Sequence, residues 1–464
     1  MKNLLIILLL LFHALIQFGQ DSPFLIVDRI SIEGNRITKA PVILRELEFA
    51  TGDTILKKDI FEKLAASRNN LNNSLLFNFV YMDFMPEGNL IEVRIRVVER
   101  WYIWPVPIFE HAERNFPSWL KDPDFEKLNY GLQLNWNNFR GRREILQLKV
   151  RLGYKEQYSL TYSKPNLDRK QRHGINLILN GFRQHEVIYR TIDNKPRFYR
   201  NNDGYLVGSL SPILTYTYRP GLYLKHSFSA AYSTLFFNED SLREEYLGFP
   251  EKKNLSWFAA SYNLEFDNRD YKIYPLSGYY FRMDVNRRGL GILPGFDYPK
   301  TFFSLTGTQH QRLAPRLYLG NAAKLRLTRD ESQPYYFRQA LGYNSYVRGF
   351  EYYLIDGSSY LISSNELKYN LLKKREVHLR WIPWEQFGKV HFAAFSNMFL
   401  DFAWVDDNHL TGNGNNLNNK LLWSTGIGLD LLSYYDQVFR LEFTLNSLGE
   451  TGIYLHLETP FSRW

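Results

Sequence analysis

The chain has 464 residues, no cysteine, 57 Lys and Arg against 48 Asp and Glu, and an aromatic content of 16%. Without cysteine there is no disulfide framework and no thiol for lipid attachment, so packing and backbone pairing must hold the fold. The formal charge of +9 is spread among nearly as many acids, which gives no nucleic-acid patch, whereas aromatics at this density suit strands that meet a membrane interface.

The N-terminus, MKNLLIILLLLFHALIQFGQ, carries one lysine and then an unbroken apolar run from Leu4 to Phe12. This is the pattern of a secretory signal peptide over residues 1–20, its apolar core too short to span a bilayer as a helix. Beyond it every apolar run is broken by a polar residue or Tyr within about ten residues, so no helical span is expected.

Residues 21–100 form a separate module. FLIVDRISIEGN alternates as a strand ending in a Gly-Asn turn, Thr38 can cap a helix over APVILREL, and Gly52 with Asp53 breaks it before a second helix, KKDIFEKLAASRNNL. LFNFVYMDFM and LIEVRIRVVER, joined by the turn PEGN, read as two further strands. The order β-α-α-β-β, opened by ISIEGNRIT, resembles a POTRA domain, the periplasmic module of the BamA/TamA outer-membrane family. The resemblance implies a periplasmic unit that pairs an extended client strand.

From Trp101 to Trp464 a helical period is almost absent. Strands are expected at 101–109, 129–138, 143–153, 157–164, 173–183, 205–219, 222–233, 256–267, 277–288, 300–312, 315–329, 359–372, 390–404, 421–432, 437–446 and 451–461. Sixteen is an even number, as a closed antiparallel barrel with both ends on one side requires. Connection length alternates accordingly: FRGR, RPG, APR and SYYDQ are short, whereas 110–128, 184–204, 234–255, 330–358 and 405–420 are long. Two gaps on the short side, 268–276 and 373–389, break the rule, as do two on the long side, 154–156 and 447–450. Within strands the period is two: Phe258, Ala260, Tyr262, Leu264 and Phe266 oppose Asn263, Glu265 and Asp267. The expected fold is mainly β, a 16-stranded antiparallel transmembrane β-barrel over 101–464 after one small POTRA-like domain. A soluble sandwich would alternate similarly but with shorter strands.

The ends of this region carry further information. Ile453, Leu455, Leu457, Thr459 and Phe461 share one face, which resembles the C-terminal β-signal of outer-membrane proteins registered on Phe461, with Ser462, Arg463 and Trp464 beyond it. In the opening strand, WYIWPVPIFE, Pro105 and Pro107 are two apart, so both missing amide donors lie on one edge. Facing the last strand, that edge makes a weak seam and a lateral gate. Facing the second strand, or stiffening the link from the preceding module, it does not.

Four elements resemble the BamA/TamA family together. VRGF at 347–350 matches the motif of its sixth outer loop, which implies that Arg348, Gly349 and Phe350 fold back into the lumen. FDNRDYKIYPLSGYY matches its D-x-R-D…P…G element through Asp267, Arg269, Asp270, Pro275 and Gly278. SNELKYNLL places Glu366 on the strand after the loop, and FLDFAWV supplies Asp401, with Ala403 where the family has glycine. By alternation Asp401 lies opposite Phe392, Ala394, Met398, Leu400 and Phe402, hence in the lumen. An arginine there needs a carboxylate, and a planar guanidinium suits bidentate pairing. The expected lock is Arg348 on Asp401 with Glu366 assisting, Gly349 supplying the turn and Phe350 packing beside the pair.

The resemblance implies a nucleotide-free factor for outer-membrane protein assembly, insertion or translocation. Its partners would be the outer-membrane bilayer, unfolded outer-membrane or secreted clients, and other envelope assembly subunits, with no nucleic acid. One POTRA-like module suits an accessory or specialised role. The alternative is a passive diffusion pore or a structural subunit of an outer-membrane complex. An enzyme is disfavoured, since there is no G-x-S-x-G, P-loop or H-E-x-x-H and no metal-ligand spacing among the histidines; no catalytic residue, cofactor or metal is expected. Asp284 and Glu265 are lumen carboxylates that could come close.

Overall fold

A computed structural model describes residues 23–111, 128–201, 204–238, 254–330, 333–343, 345–407 and 414–457. The signal peptide expected over 1–20 and the registered Phe461 lie outside them. The chain divides into two compact units, one ending at Glu99 and one starting at Arg100.

The first unit contains β1 (Phe24–Glu33), α1 (Ala40–Leu44), β2 (Thr54–Leu56), α2 (Ile60–Asn73), β3 (Phe77–Glu87) and β4 (Leu90–Glu99). The sheet order is β2-β1-β4-β3, with β1 parallel to β4. Ile60, Leu64, Ser67 and Leu71 recur at helical spacing and give α2 one buried face, while Val27, Ile91, Val93, Ile95 and Val97 are buried in the sheet. Two local expectations change. A short β2 precedes α2, and Thr38 does not cap α1: the backbone N–H of Thr38 donates to Glu99 Oε1 at 2.6 Å, and that of Ile37 to Oε2 at 3.0 Å. Pro41 opens the helix without a donor to satisfy, so the buried carboxylate serves the N–H groups upstream instead.

The second unit contains β5 (Ile103–His111), β6 (Leu128–Phe139), β7 (Glu144–Gly153), β8 (Lys155–Lys164), β9 (His173–Gln184), β10 (Glu186–Ile192), β11 (Lys195–Arg200), β12 (Val207–Tyr218), β13 (Leu224–Phe237), β14 (Asn254–Asp267), β15 (Gly278–Arg288), β16 (Lys300–Ala314), β17 (Leu317–Asp330), β18 (Ser359–His378), β19 (Lys389–Asp406), β20 (Leu422–Leu432), β21 (Val438–Asn446) and β22 (Thr451–His456). Sixteen of these form one antiparallel barrel sheet running from β5 to β22, and β10–β11 is a separate hairpin. Every expected strand window holds a strand.

Two departures are informative. The expected loop 184–204 contains the β10–β11 hairpin, turned by Asp193 and Asn194 at φ 51° and 54°, the positive pair a two-residue turn requires. The expected gap 373–389 is strand over 373–378 and again at 389, because β18 and β19 keep pairing beyond both of their neighbours. Burial alternates as the period-two pattern demands: β21 buries Arg440, Glu442 and Thr444 and exposes Phe439, Leu441 and Phe443. The buried polar row lines the lumen and the exposed apolar row faces lipid. We call the rim where β5 begins the near rim and the opposite one the far rim.

Candidate functional site

The connection from β17 to β18 enters the lumen from the far rim. Gly349 turns it at φ +80°, a conformation that disfavours a side chain, and Asn446 Nδ2 donates to the Gly349 carbonyl at 2.7 Å. Val347 and Phe350 pack with Leu341, Ile355, Tyr360 and Ala403 in one apolar cluster, so alanine in place of the family glycine is accommodated there. Between Val347 and Gly349, Arg348 is 1% exposed. Its Nε and Nη2 donate to the two oxygens of Asp401 at 2.7 and 2.6 Å, Nη1 donates to Glu442 Oε1 at 3.1 Å, and the guanidinium lies 3.7 Å from the ring centre of Phe399. The expected bidentate pair is present. Its second acid is Glu442, not Glu366.

Glu366 belongs to a second buried arginine. Arg440 Nη2 donates to Glu366 Oε1 and to Asp430 Oδ2, both at 2.6 Å, Nε donates to Asp430 Oδ1 at 2.6 Å, and Nη1 reaches Glu442 Oε1 at 3.4 Å. Glu442 thus sits between two guanidiniums. Lys368 lies 4.0 Å over the ring of Tyr274. Arg348, Arg440, Lys368, Asp401, Glu366, Asp430 and Glu442 are all at most 1% exposed. Three cations and four carboxylates out of water are tenable because both guanidiniums bond carboxylates at close range and share Glu442. Sequence reasoning missed Asp430, Arg440 and Glu442. The alternation FRLEFTLN puts Arg440 and Glu442 on one face, a signal that was available.

A second element enters from the near rim. In the turn between β14 and β15, Arg269 clamps Asp267 with Nε and Nη2 at 2.8 and 2.9 Å, and Lys272 Nζ lies 3.0 Å from Asp267 Oδ2. Asp270 Oδ1 accepts the backbone N–H groups of Tyr271, Leu276 and Ser277 at 2.9–3.1 Å; burial pushes its pKa up, against the pull of those donors. Gly278 has φ +100°, and a Cβ there would sit 2.7 Å from Arg269 Cα. Pro275 is buried beside Tyr274, whose hydroxyl donates to Asp430 Oδ2 at 2.6 Å. The five family-motif residues thus shape a turn that delivers Tyr274 to the cluster.

At the edge of the sheet, the N–H of Asn137 donates to the Tyr102 carbonyl at 2.8 Å, and the register runs unbroken from Ile103↔Trp136 to His111↔Leu128. Even-numbered residues of β5 therefore bond β6, and odd-numbered ones turn their backbone groups away. Pro105 and Pro107 lie on the outer edge. Among the described residues no ladder joins that edge to β22. Side chains tie the start of β5 to the turn between β20 and β21 instead. At the near rim Arg100 pairs with Asp436, the N–H of Trp101 donates to Tyr435 Oη at 3.0 Å, and the Trp104 ring lies 5.2 Å from that of Tyr435. The loop between β17 and β18 covers β22: Tyr346 stacks on His456 and Tyr352 meets Tyr454.

Residues 138–445, about two thirds of the chain, match the Omp85 superfamily domain. The chain belongs to the Omp85 superfamily. Solved structures with the same fold include BamA from Haemophilus ducreyi lacking POTRA domains 1–3, at 14% identity and a TM-score of 0.50, covering 93% of this chain and 83% of that one. CdiB from Escherichia coli gives 13% identity and a TM-score of 0.55, covering 93% of this chain and 75% of that one. Comparison with curated proteins gave no match. Omp85 membership places the protein in the outer membrane, among factors for protein insertion or translocation.

Within this Omp85 barrel the two further lumen carboxylates expected from the sequence, Asp284 and Glu265, each hold a cation. Arg282 donates to Asp284 from Nε and Nη2 at 2.7–3.0 Å, Asn263 Nδ2 donates to the same acid at 2.7 Å, and Glu265 pairs with Lys225 at 2.8 Å. What the arrangement can do is hold a loop, a turn and a wall together by charge, and leave one strand edge short of donors.

Proposed function

We propose that the protein inserts or translocates polypeptides at the outer membrane by offering client chains two open strand edges. The first is β3, an edge of the N-terminal sheet, which would work in the periplasm by β-augmentation. Half-buried Phe84 on β3 lies 5.8 Å from exposed Phe61, an apolar pair beside that edge for alternate client side chains. The second is the seam between β5 and β22. The observation that carries this reading is the position of Pro105 and Pro107: both absent donors fall on the edge that would have to pair with β22. A ladder along that edge would hold two bonds fewer than the same pair without proline.

A steady diffusion pore is the weaker reading, because Arg348 from one rim and Tyr274 from the other meet bonded groups inside the lumen. Other envelope assembly subunits would act as accessory partners. Depletion in the native host, read by quantitative outer-membrane proteomics, is expected to remove or misassemble specific surface proteins; an unchanged proteome overturns the proposal. Pro105→Val with Pro107→Val restores the two donors and is expected to slow client insertion into vesicles while leaving the barrel folded.

A further inference from the structure

The projecting ends of β18 and β19 take no part in the charge cluster. β18 pairs with β17 as far as Tyr369, and β19 with β20 from Ala393. Past those points 371–378 and 389–392 pair, among the described residues, with one another, forming a two-stranded ribbon off the near rim.

Its two faces differ. Cross-strand partners share a face, so Arg375 lies with Phe392 and Val377 with Val390. Phe392, 39% exposed, continues the lipid-facing row of Met398 and Leu400 on β19. On the other face Glu376 is opposite His391, which meets the Tyr434 ring, and Lys389 pairs with Glu376. The lipid face of the barrel therefore runs without interruption onto the ribbon. At its tip Trp381 and Trp384 are 80% and 65% exposed, and with Trp101, Ile382, Pro383 and Phe387 they line a hollow of about 490 Å³.

The height of this face identifies what covers it. Trp404, on the same row, is twelve residues from Phe392; at about 3.3 Å per residue and a tilt of about 40° this spans roughly 30 Å, against an apolar band of roughly 25 Å. If Trp404 marks one headgroup layer, Phe392 and Arg375 reach the other, and the tip lies just past it. Tryptophan and basic side chains are the residues that partition to that layer. Lys373, Arg375 and Arg380 are exposed there and, among the described residues, their side chains make no hydrogen bond or ion pair.

We propose that this ribbon docks on the bilayer surface at the near rim, with Trp381 and Trp384 in the interfacial layer and Lys373, Arg375 and Arg380 on anionic phospholipid headgroups. The chain has no cysteine, so Trp384→Cys accepts a single environment-sensitive fluorophore in the full-length protein. The labelled barrel is reconstituted in vesicles of phosphatidylcholine, alone or with an equal share of phosphatidylglycerol, containing lipids brominated near the headgroup. The expected result is quenching that increases with phosphatidylglycerol. Lys373→Gln, Arg375→Gln and Arg380→Gln are each expected to lower the ratio of docked to free tip roughly fivefold. Heat-modifiable gel migration reports whether each variant folds; where the Lys373→Gln or Arg375→Gln variant in β18 does not, the Arg380→Gln variant at the tip is read in the same way. An unquenched label in both lipids overturns the proposal, as does equal quenching in both that the variants leave unchanged. A label shielded only on addition of an unfolded outer-membrane polypeptide assigns the hollow to protein and overturns it too.

Discussion

Two arginines lie in the lumen, and they differ in how they arrive. Arg440 projects from β21, so its position is set by the barrel wall, and it bonds Asp430 on the adjacent β20 and Glu366 across the lumen on β18. Arg348 projects from the loop between β17 and β18, and its bonds to Asp401 and Glu442 are what bring that segment to the wall. Burial and chemistry are alike. The difference is reversibility: losing Arg440 leaves acids stranded inside a wall that cannot move, whereas losing Arg348 lets a loop withdraw and water follow.

The comparison breaks first at Arg440. Arg440→Ala leaves Asp430 and Glu366 buried without their cation and is expected to cost about 3–5 kcal/mol, enough to abolish the heat-resistant folded band in gels. A variant that folds with near-native urea resistance would mean the wall tolerates those charges. Arg348→Ala is expected to cost less, about 1.5–3 kcal/mol, with the barrel intact but residues 333–358 opened to protease and client assembly reduced. A double-mutant cycle with Asp401→Ala sharpens this, because coupling well below that range would mean the loop is held by the apolar cluster around Phe350. Tyr274→Phe removes the hydroxyl bond to Asp430 and is expected to cost about 1–2 kcal/mol, measured by urea titration in vesicles, without exposing the loop.

The smallest effect tests the loop alone. Burial raises the pKa of Asp356, against the hydrogen bonds from Tyr343 and Thr191. An acid with a raised folded-state pKa favours folding below its ordinary pKa and loses that contribution as pH rises through the raised value. Asp356→Asn keeps an oxygen for the Tyr343 hydroxyl and is expected to protect the loop slightly better than the native residue at neutral pH. The advantage should vanish in acid, as followed by the rate of proteolytic nicking.

The strands were legible because period-two alternation and turn chemistry are local, and each window needed no knowledge of its neighbours. Arg348 and Asp401 were legible for a different reason: a motif resemblance named the loop, and parity put the acid inside. Glu366 shows where this stops. Parity places it in the lumen correctly, but which cation it meets depends on the stagger of β18 against β21, and no sequence period encodes that. Arg440 and Glu442 carried the right alternation in FRLEFTLN and lacked only a reason to look. The β18–β19 ribbon was hidden because residues 371–378 have neighbours on one side alone, so no burial pattern distinguishes them from a loop.

Asp430 accepts a bond from Tyr274 of the near-rim turn and from Arg440, which shares Glu442 with Arg348 of the far-rim loop. This is a continuous path of contacts through the barrel. Linkage is reciprocal: whatever free energy the inner turn contributes to seating the outer loop, the loop returns equally to the turn. Whatever displacing the turn takes from the loop's seat, displacing the loop takes from the turn's, although the two enter from opposite mouths.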